Sequence, residues 1–235
     1  MTSGMPIVQS LEWLWDAIGQ CLCPSRCAAC DEPLADGHVT GQLCADCFSL
    51  CVPCPSDACD LSTQALRCRS SFVYEGPLST ALLRLKWQGR DDLARPLGRL
   101  LGPLLHDLMD QYDWLVPVPL HRERLRRRGY NQATLLAREA LRSLSGRHHL
   151  RLQVGLLTAT RPTLAAHQLR RSERFQRAIS RFAVPAHAQA QVTNRRIVLV
   201  DDVITTGATV AACREALNRA GAAEVAAISL LRVIR

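Results

Sequence analysis

Lysine is almost missing from this 235-residue chain: Lys86 stands alone among 29 basic residues, so arginine carries nearly all of the positive charge behind a net +8. A P-loop requires a Gly-x4-Gly-Lys-Ser/Thr step. The single lysine sits in Leu85-Lys86-Trp87, so a P-loop ATPase is excluded, although Val198-Leu199-Val200-Asp201-Asp202 could pass for a Walker B strand. Aromatic residues make up only 5% of the chain, too few for extended base stacking, so any grip on a nucleic acid has to be mainly electrostatic. No apolar run reaches the length of a membrane span, and the opening MTSGMPIVQSLEWLWDAIGQ carries acids without a basic lead-in. No membrane insertion and a cytoplasmic location are therefore expected. Internal repeats and low-complexity stretches are absent as well.

Cysteine, by contrast, is abundant and crowded. Of eleven cysteines, ten fall between Cys21 and Cys68, with Cys213 alone beyond. In a small secreted protein this would indicate disulfides; heading a longer chain, and arranged in C-x2-C pairs, it favours metal. Cys27-Ala-Ala-Cys30 and Cys44-Ala-Asp-Cys47 form two knuckles whose thiolates can complete a tetrahedral zinc site, close to a zinc-ribbon spacing. Zinc there would be structural, since metal binding folds a segment too poor in apolar residues to fold alone. Cys51, Cys54, Cys59 and Cys68 could supply a second site at a less regular spacing, whereas Cys213 reads as a small core residue on a helix.

The pattern along the chain divides it into residues 1–68, an N-terminal helix (9–19) followed by the cysteine-rich zinc-ribbon module, and residues 69–235, an α/β domain. In the second part SFVYE, DWLVPVP, RLQVGLLTA, RRIVLVDD and EVAAISLLRV read as strands. GPLSTALLRLKW, DLARPLGRLLGPLLHDLM, NQATLLAREALRSL and ATVAACREALNRAG read as helices, and 160–181 as an arginine-laden loop leading into a helix. Alternation of strand and helix predicts a mostly parallel sheet with helices on both faces.

The chemistry concentrates in Ile197 to Thr209. Four apolar residues predict a buried strand, two carboxylates stand where it would leave the sheet, and Thr205-Thr206-Gly207-Ala208-Thr209 leads into a helix. A helix start offers free N–H groups and a positive dipole end to an anion, and Gly207 permits close approach of the backbone. Asp201 and Asp202 can accept hydrogen bonds from vicinal hydroxyls. Phosphate donors beside diol acceptors describe a ribose 5-phosphate site. Upstream, Pro117 and Pro119 end a strand before a run of arginines that closes Arg128-Gly129-Tyr130-Asn131; these guanidiniums and the turn would suit a pyrophosphate.

The segment VDDVITTGAT resembles the signature of type I phosphoribosyltransferases. Together with the C-x2-C pairs, the Lys86-Trp87-Gln88-Gly89 step, VPVPL and RRRGYNQ in that order, it makes residues 20–235 similar to the ComF family of competence proteins. The resemblance implies a type I phosphoribosyltransferase fold behind a zinc ribbon, and phosphoribosyl pyrophosphate bound with Mg²⁺. In it, Asp201 and Asp202 are catalytic and hold the ribose diol, Thr205 to Thr209 wrap the 5′-phosphate, and Pro117, Arg128, Gly129 and Asn131 line the pyrophosphate side. It also implies handling of single-stranded DNA in natural transformation, with a competence helicase as partner, either as a transferase with an unidentified acceptor or as a non-catalytic adaptor. One stretch departs from the family: Thr163, Glu173, Arg174 and Phe182 keep the spacing, but Ala166 and Arg177 replace the expected glutamine and asparagine, with Gln168 nearby.

Overall fold

The computed structural model describes residues 26–34, 43–55, 66–146, 148–160 and 181–234. The expected helix at 9–19, Cys21, Cys23, Cys59 and the departing stretch from Thr163 to Arg177 lie outside the described residues.

Strands β1 (Cys68–Val73), β2 (Trp114–Pro117), β3 (Arg151–Leu152), β6 (Arg196–Ile204) and β7 (Glu224–Arg232) form one sheet in the order β1-β7-β6-β2-β3. Every pairing in it is parallel. A separate antiparallel pair joins β4 (Thr158–Ala159) to β5 (Phe182–Ala183). The helices are α1 (Ala45–Ser49), α2 (Gly76–Trp87), α3 (Ala94–Arg99), α4 (Gly102–His106), α5 (Arg122–Arg128), α6 (Gln132–Arg142), α7 (Ala186–Val192) and α8 (Ala208–Arg219).

The side-chain alternation of β6 sorts these helices onto two faces. Val198 and Val200 join an apolar cluster with Leu82 of α2, Leu97 of α3, Leu105 of α4 and Leu136 of α6. Ile197 and Leu199 join another with Val192 of α7 and Val210, Cys213 and Leu217 of α8. A strand covered on both sides needs a continuous apolar run, which is what Ile197–Val200 supplies. The expected parallel α/β sheet with helices on both faces is therefore present, and Cys213 is fully buried in its helix.

Two local expectations are corrected, and one element is added. RLQVGLLTA is not one strand: Gly155 takes φ 91°, and its two ends pair in different sheets as β3 and β4. DLARPLGRLLGPLLHDLM is broken between α3 and α4, where Pro103 opens the second helix. The arginine run, to which no element was assigned from the sequence, is helix α5, with His121 at its N-cap and Gly129 closing it in the left-handed region at φ 85°.

The cysteine module shares the first cluster. Cys27, Ala28, Leu43, Cys47 and Cys51 pack with Leu78, Ala81, Leu82 and Leu85, the stripe that spacing of three and four residues places on one side of α2. Arg84 reinforces this contact by bonding the Ala28 carbonyl at 3.4 Å and the Asp31 carboxylate at 3.0 Å. Among the described residues no helix is long and apolar enough to cross a membrane.

Candidate functional site

Strand β2 stops short of its neighbour. Its pairing with β6 ends at Pro117↔Val200, with one further bond from Val118 N–H to Val200 O at 2.9 Å. Pro119 has no N–H to continue the ladder. Strand β6 runs on, paired only with β7, through Asp201↔Ser229 to Ile204↔Arg232. The two carboxylates therefore lie within the strand, which runs on to Ile204, and not at its end, where the sequence reading placed them. Because successive residues point to opposite faces, they straddle the sheet edge.

Asp202 turns towards α2, where Lys86 Nζ meets its Oδ1 at 2.7 Å. Its side chain is only 5% exposed, and Oδ2 is buried with no hydrogen-bond partner among the described residues. Asp201 turns the other way, and its Oδ1 accepts the Asp202 N–H at 2.8 Å. Burial, followed by the neighbouring Asp202 charge, pushes the Asp201 carboxyl up to about 8.

Both acids line a cleft of about 260 Å³ shared with Lys86, Trp87, His121, Arg124, Arg128, Asn131 and Arg181. That is a volume for a small polar ligand, under four or more cationic side chains. Arg128 stacks on the Trp87 ring at 4.6 Å and donates to Gln132 Oε1. Asn131, at the N-cap of α6, accepts the Ala133 N–H at 3.0 Å and donates to Val118 O at 2.9 Å, so its amide fastens the end of β2 to the helix.

Of the expected phosphate-binding turn, Thr209 lines this cleft, Thr205, Thr206 and Ala208 are exposed, and Gly207 is buried at the N-cap of α8 with φ 78°. Thr206 Oγ1 accepts the Ala208 N–H at 3.4 Å. Among the described residues none accepts from the N–H groups of Thr205, Thr206 or Gly207, which leaves the start of a 12-residue helix able to bind an anion. Of the residues expected on the pyrophosphate side, Arg128 and Asn131 line this cleft. Pro117 is buried and borders a neighbouring apolar groove of about 760 Å³, and the Gly129 N–H closes α5 on Leu125 O at 2.8 Å.

Sequence reasoning passed over Lys86 as a chemical group, using it to exclude a P-loop and as part of a motif that carries the family resemblance. A single lysine kept in an arginine chain was the available signal. His121, Arg124 and Arg181 carried no signal that separates them from the other basic residues.

The cysteine expectation fits a metal. Cys27, Cys30, Cys44 and Cys47 bring their sulfurs within 4.8 Å of one another, with Cys30 and Cys44 at 3.7 Å. A tetrahedral zinc with ligands at 2.3 Å sets its sulfurs about 3.8 Å apart. The first knuckle closes through Cys27 N–H to Glu32 O at 2.8 Å, with Asp31 at φ 65°. Burial opposes ionisation of Cys27, but N–H donors from Cys30, Cys44 and Ala29 outweigh it and lower the thiol to about 6. These residues could hold zinc, which would tie segment 26–34 to segment 43–55. Cys51 and Cys68 belong to different apolar clusters, and no second group of three ligands forms among the described residues.

The family model described as phosphoribosyl transferase domain matches residues 132–234, from the start of α6 past the end of β7. DNA utilization protein YhgH of Escherichia coli (strain K12) is 32% identical, over 90% of this chain and 98% of that protein. Competence protein F of Haemophilus influenzae is 32% identical, over 68% of this chain and 69% of its own length. Among solved structures, a hypoxanthine phosphoribosyltransferase from Staphylococcus aureus has 12% identity and a TM-score of 0.37, over 60% of this chain and 64% of that one. With near end-to-end similarity to one such relative, a parallel sheet carrying the matched domain and a four-cysteine cluster at its head, this chain belongs to the ComF family of competence-related, phosphoribosyltransferase-like proteins.

Proposed function

We propose that the cleft binds phosphoribosyl pyrophosphate, and that the protein uses it in the cytoplasm during uptake of single-stranded DNA. The observation that carries this reading is Asp202 Oδ2, a buried carboxylate oxygen without a partner on the wall of a small cationic cleft. A buried acceptor left unsatisfied costs roughly 1–3 kcal/mol, so a hydroxyl donor from a ligand recovers that amount on binding. A ribose diol across Asp201 and Asp202 places the 5′-phosphate at the Thr205–Thr209 turn and turns the pyrophosphate towards Arg128. Mg²⁺ accompanying the pyrophosphate supplies counter-charge. Loss of pyrophosphate would leave a cationic ribose carbon for a nitrogen nucleophile, with Arg124 and Arg128 facing the departing charge.

Calorimetry with phosphoribosyl pyrophosphate and Mg²⁺ tests the reading. Micromolar to millimolar binding is expected for the wild type, and at least about tenfold weaker binding for Asp202→Asn with the fold intact. Unchanged affinity in that variant would overturn the diol assignment. Pyrophosphate release on adding bases, amines or single-stranded DNA distinguishes a transferase from a protein that only binds.

A second reading, a binding adaptor for DNA and a helicase, is favoured by the outer side of α5. Arg122, Arg126 and Arg127 are exposed there, beside a Trp87 that is 63% exposed. The division at residue 68 belongs to both readings, with the cysteine module as the platform for contact and 69–235 as the ligand domain.

A further inference from the structure

Among the cavities, charged patches and buried titratable groups of the chain, one contact stands outside the function so far described. Lys86 comes from α2, more than a hundred residues before the acids it meets, and its side chain is only 17% exposed. Four apolar residues of the helix, Leu78, Ala81, Leu82 and Leu85, anchor the face beside it, with Leu82 one turn before the lysine, and Tyr130 donates its hydroxyl to the Leu85 carbonyl, next to the lysine in the chain. The ammonium is thus delivered by packed structure and not by a free side chain searching the cleft. It takes Oδ1 of Asp202 and leaves the buried Oδ2 without a hydrogen bond among the described residues.

We propose that Lys86 is a positioning residue for the diol-binding carboxylates: its ammonium neutralises buried Asp202 and holds it as a hydrogen-bond acceptor, with Oδ2 turned to a hydroxyl of a vicinal-diol phosphate ester. This deepens the ribose-phosphate reading and rests on it. A buried carboxylate stripped of its cation relieves the uncompensated charge by taking a proton, and a protonated oxygen no longer accepts from a hydroxyl in the same way. The groups that face the carboxylate pair are Lys86 from α2, Arg128 and Arg124 from α5, His121 before α5, Arg181 before β5 and Cys213 from α8 behind Asp201. Arg124 and Arg128 lie along the cleft, whereas Lys86 is the one cation in contact with Asp202 among the described residues.

Ribose 5-phosphate and inorganic phosphate serve as probes, titrated calorimetrically into wild type, Lys86→Met and Lys86→Arg between pH 6 and pH 8.5. Lys86→Met is expected to bind ribose 5-phosphate at least about tenfold more weakly at pH 6, to regain affinity as pH rises, and to keep wild-type affinity for inorganic phosphate. Lys86→Arg keeps the cation and restores most of the sugar-phosphate affinity. An unchanged affinity and pH profile in Lys86→Met would overturn the role of Lys86 alone. Equal loss of both probes would also overturn it, because the lysine would then be touching phosphate directly. If the methionine variant fails to fold, the arginine variant decides: wild-type behaviour supports the charge, and a loss of more than tenfold contradicts it. A wild type that bound phosphate but ignored ribose 5-phosphate would instead sink the diol reading on which this inference stands.

Discussion

At the scale of single residues, the two acids of β6 share a strand but not an environment. Asp202 has a cation at 2.7 Å, whereas Asp201 has only a backbone N–H and a buried setting. The raised Asp201 carboxyl keeps its proton in the folded chain well above the pH at which the unfolded chain releases it. From about pH 4 to about pH 8 folding therefore takes up a proton, and stability falls as pH rises through that window before levelling off. Asp201→Asn keeps an oxygen for the Asp202 N–H and removes the titration. Its melting temperature should be higher than that of the wild type at pH 8, with a flatter profile between pH 5 and pH 8. A wild-type profile already flat over that range would contradict the assignment.

At the scale of elements, α3 and α6 approach closely at Gly98. A Cβ on Gly98 would lie 2.6 Å from Glu139 Cβ and 2.8 Å from Leu136 O, so backbone would have to move. Alanine gains up to about 1 kcal/mol over glycine in a helix, but overpacking costs about 1–3 kcal/mol, and the clash should win. Gly98→Ala should lower stability in denaturant unfolding, and Gly102→Ala much less, because it meets only the Ser143 hydroxyl at 2.9 Å. Equal effects from the two would mean that the helices part easily.

The limits of α2 and α8 were legible because each begins and ends on local chemistry: Pro77 and Gln88 for one, Gly207 and Gly221 for the other. The break between α3 and α4 was also written locally, in Gly102-Pro103, but a continuous leucine stripe masked it. The opposed directions of Asp201 and Asp202 were not legible, because β6 is lengthened by β7 alone, a partner more than twenty residues downstream. The ion pair with Lys86 is likewise a product of sheet order, and no window of sequence contains both partners.

At the scale of the whole molecule, the cysteine cluster and the sheet are joined through one apolar cluster, so the metal and the fold should be linked. Leu78, Leu82 and Leu85 each gain roughly 1.5–3 kcal/mol from full burial, part of it under the cysteine module. Losing about 2–3 kcal/mol of that corresponds to a fall of roughly 5–10 °C in Tm for a chain of this size. Zinc removal by a chelator, or Cys44→Ser, should produce that fall together with loss of bound zinc. A chain that lost its metal and melted at the same temperature would show the module to be an appendage.

Helix α2 carries two charged tethers close together. Arg84 reaches out to Asp31 and Ala28, and Lys86 to Asp202. Two positions correspond to about 200° around a helix axis, so the tethers pull on nearly opposite sides of the same turn. Such an arrangement resists sliding little but resists rolling strongly. A partner that grips the cysteine knuckle and twists it would turn this rod about its own axis, and the ammonium at its far side would swing away from the carboxylate as the guanidinium was drawn along.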